Sequence, residues 1–105
     1  MNLWQTLFGH PAVRQLKSVQ KQEYKRLLEK LIQIGKTDDF LSLHPGGPFD
    51  VHCHHTEARR IGVRLNEIGG LPLMQAARAH VKRKLKATLA EHLDHCWQDV
   101  GGWQA

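Results

Sequence analysis

His52-Cys53-His54-His55 and the stretch from His92 to Cys96 hold five of the chain's eight histidines and both of its cysteines. Imidazole nitrogen and thiolate sulfur are the donors that zinc, copper and nickel select, so the first chemistry to look for is binding of a transition-metal ion. On a helix, His92 and Cys96 share one face at a spacing of four residues, while His95 lies one turn from His92 on the outer flank. In an extended chain, His52 and His54 point one way and Cys53 and His55 the other. A tetrahedral zinc site through Cys53, a neighbouring histidine, His92 and Cys96 is one arrangement these spacings allow. The simpler reading competes with it. Cys96 falls inside an apolar stripe, where a cysteine packs as a small hydrophobe, and neither window has a CxxC-type spacing. The candidate metal set is therefore His52, Cys53, His54, His55, His92, His95 and Cys96, with zinc or another transition metal as the cofactor it would hold.

The same residues offer a thiolate for catalysis, at Cys53 beside three histidines or at Cys96 one turn from His92. No orienting third group and no oxyanion hole can be named for either thiol, so the expectation leans away from an enzyme.

The elements that must position these donors are helical. Val13, Leu16, Tyr24, Leu27, Leu28, Leu31 and Ile34 recur at helical spacing with Gln20 breaking the stripe, and Gly35 reads as the C-cap. Thr37-Asp38-Asp39 reads as a turn leading to Phe40, Leu41 and Leu43, and His44-Pro45-Gly46-Gly47-Pro48 opposes regular structure. Thr56 reads as the N-cap of a helix burying Ala58, Ile61, Leu65 and Ile68, which Gly69-Gly70 ends. Pro72 suits the first turn of a further helix with Met74, Ala77, Val81 and Leu85 inward. Thr88-Leu89-Ala90-Glu91 is a capping-box sequence, so a bend at Ala87 leads to a last helix burying Leu89, Leu93, Cys96, Trp97 and Val100. Gly101-Gly102 stops it, and Trp103 folds back. Ahead of all this, Leu3, Trp4, Leu7 and Phe8 share a helical face and read as a docking turn. No stretch alternates polar and apolar residues. The fold expected is all-α, one domain over 1–105, a compact bundle of about four helices (roughly 12–34, 56–68, 72–87 and 89–100) with an irregular His/Pro/Gly loop at 37–55.

Charge is distributed in blocks. Residues 1–36 carry seven Lys/Arg against two Glu and residues 58–86 carry eight against one, whereas 37–57 and 87–105 are acidic. Both His/Cys windows lie in acidic blocks, which favours a cation there and anionic partners on the basic blocks. Arg14, Lys17, Lys21 and Lys25 line one flank of the first long helix, and Arg78, Lys82 and Lys86 recur at i, i+4, i+8. Like charges at that spacing repel, and a phosphate backbone would relieve the repulsion and release counterions. The ordinary alternative is a solvated rim whose aliphatic stems cover the core edge. Gly69-Gly70-Leu71 between two helices also suggests a helix-turn-helix, but the second helix would open on Leu71-Pro72-Leu73-Met74, which offers bases no donors. Sequence reading of DNA is therefore not expected, and binding to the backbone stays open as an alternative.

Phe40-Leu41-Ser42-Leu43-His44-Pro45-Gly46-Gly47 resembles the haem-binding core of cytochrome b5-type domains, where an F-L-x-x-H-P-G-G stretch presents an axial histidine. The resemblance covers eight residues of 105 and implies His44 as a haem ligand. It also implies a mixed α/β fold with strands ahead of the motif, where this chain has a long amphipathic pattern, and a second histidine in a G-H-S context that this chain lacks. A tight Pro/Gly turn accounts for the same residues, and haem is not the expected cofactor.

At 12.0 kDa and 41% hydrophobic residues the chain can fold alone around a modest core. No apolar run approaches the roughly 20 residues that cross a bilayer, the start lacks a signal-peptide pattern, and two cysteines do not make a secreted disulfide framework. The expectation is a small cytoplasmic interaction or regulatory module that acts by binding. Its partner would be a protein or a second copy, because a helix of about 23 residues with one wide apolar face needs covering surface. Nucleic-acid backbone binding is the alternative, and a haem- or metal-dependent enzyme the third reading.

Overall fold

Pro11 opens the first helix, where its missing N–H costs nothing and its fixed φ suits the first turn. The computed structural model describes the backbone of residues 11–43 and 48–104, and the side chains of 12–37 and 54–104. It consists of α1 (Pro11–Arg14), α2 (Ser18–Leu43), α3 (Pro48–Lys84), α4 (Ala87–Cys96) and a 3-10 turn at Val100–Gly102. There is no strand among the described residues, so the fold is all-α. The mixed α/β fold of cytochrome b5-type domains is not present, and His44 lies outside the described residues. So do Leu3, Trp4, Leu7 and Phe8.

The boundaries differ from the sequence pattern in instructive ways. The expected 12–34 helix is interrupted after Arg14, and α2 starts at Ser18. Gln20, which broke the apolar stripe, marks that start: its side-chain Oε1 accepts the Lys17 backbone N–H at 3.1 Å, the return half of a capping box. Gly35 does not end the helix. A Cβ there would meet Leu85 Cδ1 at 2.5 Å, so this glycine serves close packing of α2 against the end of α3. Helix continues through the region read as a turn, and Thr37 Oγ1 donates to the Gln33 carbonyl at 2.9 Å, one turn back. The irregular loop expected at 37–55 is likewise helical to Leu43 and again from Pro48. Thr56 is thus inside α3 rather than its cap.

The helices expected at 56–68 and 72–87 are two arms of α3, broken at Gly70, whose φ of 70° and ψ of −164° fall in a region essentially restricted to glycine. The chain breaks again at 85–86, close to the expected bend. Lys86, in extended conformation and without a side-chain cap, precedes α4, so Thr88 and Glu91 form no capping box.

α3 is the central element, packed by α1, α2, α4 and the 3-10 turn. Tyr24, Leu28 and Leu31 of α2 meet Ala58, Ile61, Leu65, Leu73, Met74, Ala77 and Val81 of α3 in one core with Leu93 and Cys96 of α4 and Trp97 just after it. Leu27 and Leu85 are half-buried at its edge, and Leu73 and Ala76 join it beyond the expected set. The chain end folds back as anticipated: Trp103 packs edge-on against Trp97 with ring centroids 5.1 Å apart.

Candidate metal centre

A single stretch of α3, from His55 to Gly62, fixes the end of α4. Trp97 Nε1 donates to the Ala58 carbonyl at 2.8 Å, and the indole lies so close to Gly62 that a Cβ there would run into the ring. Arg59 reaches over the end of α4 and donates to the carbonyls of Cys96 at 3.1 Å and Gln98 at 2.8 Å. Cys96 ends α4 and Gln98 lies just beyond it, where carbonyls lack intrahelical partners and a cation suits the negative end of the helix dipole. With the register set this way, His55 meets α4 at Cys96: Nδ1 and Sγ are 3.3 Å apart.

His92 completes the group. One donor atom from each of His55, His92 and Cys96 lies within 4.8 Å of the others, with Cys96 buried, His55 half-buried and His92 exposed. Tetrahedral zinc at Zn–S about 2.3 Å and Zn–N about 2.0–2.1 Å sets its sulfur and nitrogen ligands about 3.6 Å apart. The His55–Cys96 pair already has that scale. Bringing the third donor in takes roughly an ångström, within reach of torsions in the exposed His92 side chain. Without an ion, the same pair is a thiol and an imidazole in hydrogen-bond contact.

The structure brings together three of the seven residues proposed from sequence. His92 and Cys96 share a helical face as expected. His95 is exposed and outside the group, and His54 lies apart in a groove with Lys30, Gln33, Ile34, Thr37 and Glu57. The side chains of His52 and Cys53 are outside the described residues. The extended-chain geometry assumed for that window is corrected to helix, which removes the alternation that set Cys53 and His55 opposite His52 and His54.

Other polar features escaped the sequence reading. Arg78 makes a two-pronged pair with Asp94, at 2.8 and 3.0 Å, tying α3 to α4. Arg64 pairs similarly with Glu23 on α2, one of the two bonds being 2.9 Å; these bonds, against slight desolvation, hold the Glu23 carboxyl below the usual carboxylate range. His80 is the buried polar side chain among the described residues, at 4% exposure. Its position four after Ala76 on the inner face was the available signal.

Of the basic stripes, Arg14, Lys17, Lys25, Lys82 and Lys86 are exposed and Lys21 half-buried. Arg78 differs, its guanidinium being engaged by Asp94. No family model, curated protein or solved structure matches the chain.

Proposed function

We propose that this chain is a small helical binding module whose ligand is a transition-metal ion, held between α3 and α4 by His55, His92 and Cys96, with zinc the expected ion. The observation that carries the reading is the convergence of one sulfur and two imidazoles from two elements to within 4.8 Å. A thiolate and two neutral imidazoles suit zinc better than magnesium or calcium, which take oxygen ligands. The ion would staple the first arm of α3 to the end of α4 at the point where Arg59 and Trp97 already fix the register, so binding energy would be felt as stability of that corner.

The test is elemental analysis and thermal melting of full-length protein purified without a histidine tag. One equivalent of zinc is expected, with a melting temperature that falls on chelation. His55→Ala and Cys96→Ala should each abolish the chelator response, and His95→Ala should leave it. Acid should weaken the metal's contribution, because protons compete for the same ligands. Protein free of stoichiometric metal, unable to take up zinc and indifferent to chelator, returns Cys96 to core packing and removes the proposal.

A second reading, contact with a nucleic-acid backbone, is supported by the exposure of Arg14, Lys17, Lys25, Lys82 and Lys86. It concerns a different surface and is compatible with a metal in the His/Cys group.

A further inference from the structure

Three protein donors leave zinc one ligand short of the four it takes. Among the described residues no fourth histidine, cysteine or carboxylate joins the group. What adjoins it is a small pocket. A cavity of about 20 Å³ lies between α2, α3 and α4, and His92 and Cys96 form part of its lining. The rest of the wall is apolar, with Leu31, Ile34, Val81 and Leu89 among its side chains.

That volume holds about one water molecule, but a well-held water needs two to four polar partners, and beyond His92 and Cys96, which the metal would engage, the lining side chains supply none. A metal ion changes the balance, since the bond from the ion replaces the missing hydrogen bonds. The cavity's size and lining thus suit one small donor atom tied to a metal.

We infer that the bound ion keeps its fourth coordination position open toward this cavity, filled by water or hydroxide and exchangeable for a small monodentate anion. The inference rests on the metal reading of the site and adds to it. A fourth ligand from the protein would make the centre a closed structural staple, whereas an open position makes it a receptor for small ligands. Walls built from α2 as well as α3 and α4 surround the donor atom, and the pocket's open side leaves room for the rest of a small anion. Water on such an ion ionises far more easily than in bulk, near pH 7 for some zinc sites.

The experiment loads the full chain with cobalt(II) in place of zinc and follows its absorption during an azide titration. The expected result is a thiolate-to-cobalt charge-transfer band, with d–d bands that shift saturably at one azide per cobalt. Val81→Ile and Leu89→Phe both reduce the cavity from its apolar side. Each should keep the thiolate band and weaken azide binding at least tenfold; Leu89 is only half-buried, which protects that variant's folding. Failure of cobalt to bind, with no thiolate band, overturns the metal reading and this inference with it. Cobalt held by thiolate but blind to azide overturns the open position alone, as does azide binding of unchanged strength in both filled variants.

Discussion

Tyr24 shows how much one residue's setting decides. It is buried against α3, and that burial pushes its phenol above the ordinary range, with the nearby Arg83 cation opposing the shift. Because the folded-state value is raised, the stability it contributes is complete below the unfolded phenol's pKa of about 10 and is lost as pH rises above that. Tyr24→Phe should therefore flatten part of the alkaline fall in melting temperature while changing little at neutral pH, a comparison made by melting both proteins from pH 8 to 11. Equal alkaline slopes would deny Tyr24 this role. Residue identity was also what made the candidate metal centre partly legible. His92 and Cys96 declare themselves by spacing alone, as any pair four apart on a helix does. His55 could not be matched to them, because which donor of a crowded window faces inward depends on backbone conformation, and Pro45-Gly46-Gly47-Pro48 suggests irregular chain through residue 55, whereas α3 is helical from Pro48.

Glycines carry the same lesson at the scale of elements. Gly35, Gly62 and Gly70 look alike in sequence, yet Gly35 admits Leu85, Gly62 admits the Trp97 indole, and Gly70 breaks α3 with positive φ. A glycine can be read as a stop, a contact or a kink, and only the partner element tells which. Two substitutions separate these roles. At Gly70 an added Cβ would find Pro72 Cδ no closer than 3.7 Å, so Gly70→Ala should cost only the backbone term, about 1–3 kcal/mol. Gly62→Ala should cost a similar amount, about 1–3 kcal/mol, by overpacking. It should in addition disturb Trp97 and its bond to Ala58, seen as a change in tryptophan fluorescence that the Gly70 variant does not share. Denaturant melts of both give the magnitudes, and a Gly62→Ala protein with unaltered emission contradicts the packing described. Most apolar positions were legible, since Tyr24, Leu28, Leu31, Ile61, Leu65, Val81 and Leu93 keep a helical period whatever the end points of their helices, while Leu73 and Ala76 were missed. Ends were not, because Gln20 and Thr37 act through local hydrogen bonds that override the stripe.

For the molecule as a whole, the question is which surface remains for a partner. Along its described side chains α2's apolar face, the reason for expecting a second copy, packs within the chain, with Tyr24, Leu28 and Leu31 buried and Leu27, Ile32 and Ile34 partly so. The large apolar side chains left exposed among the described residues are Val19 and Val63, which are scattered rather than a patch. No described helix is long and apolar enough to cross a membrane. Charge is then the conspicuous surface property, at a formal net +5. If the basic stripes contact a phosphate backbone, each cation that neutralises a phosphate contributes about −0.9 to the slope of log affinity against log salt on duplex DNA. The structure separates cations that can contribute from one that cannot: Lys82 is exposed, while Arg78, one turn earlier, is engaged with Asp94. Binding to mixed-sequence DNA should therefore be measurable at low salt and fall steeply toward physiological salt. Lys82→Glu should lower the affinity uniformly across sequences and reduce the slope by about one or more. Arg78→Ala should leave the slope where it was and lower the melting temperature, because Asp94 loses both of its bonds across the α3–α4 contact. No binding at low salt rules out the backbone contact, and a salt slope that responds to Arg78 as strongly as to Lys82 means that the Asp94 pair opens when nucleic acid arrives.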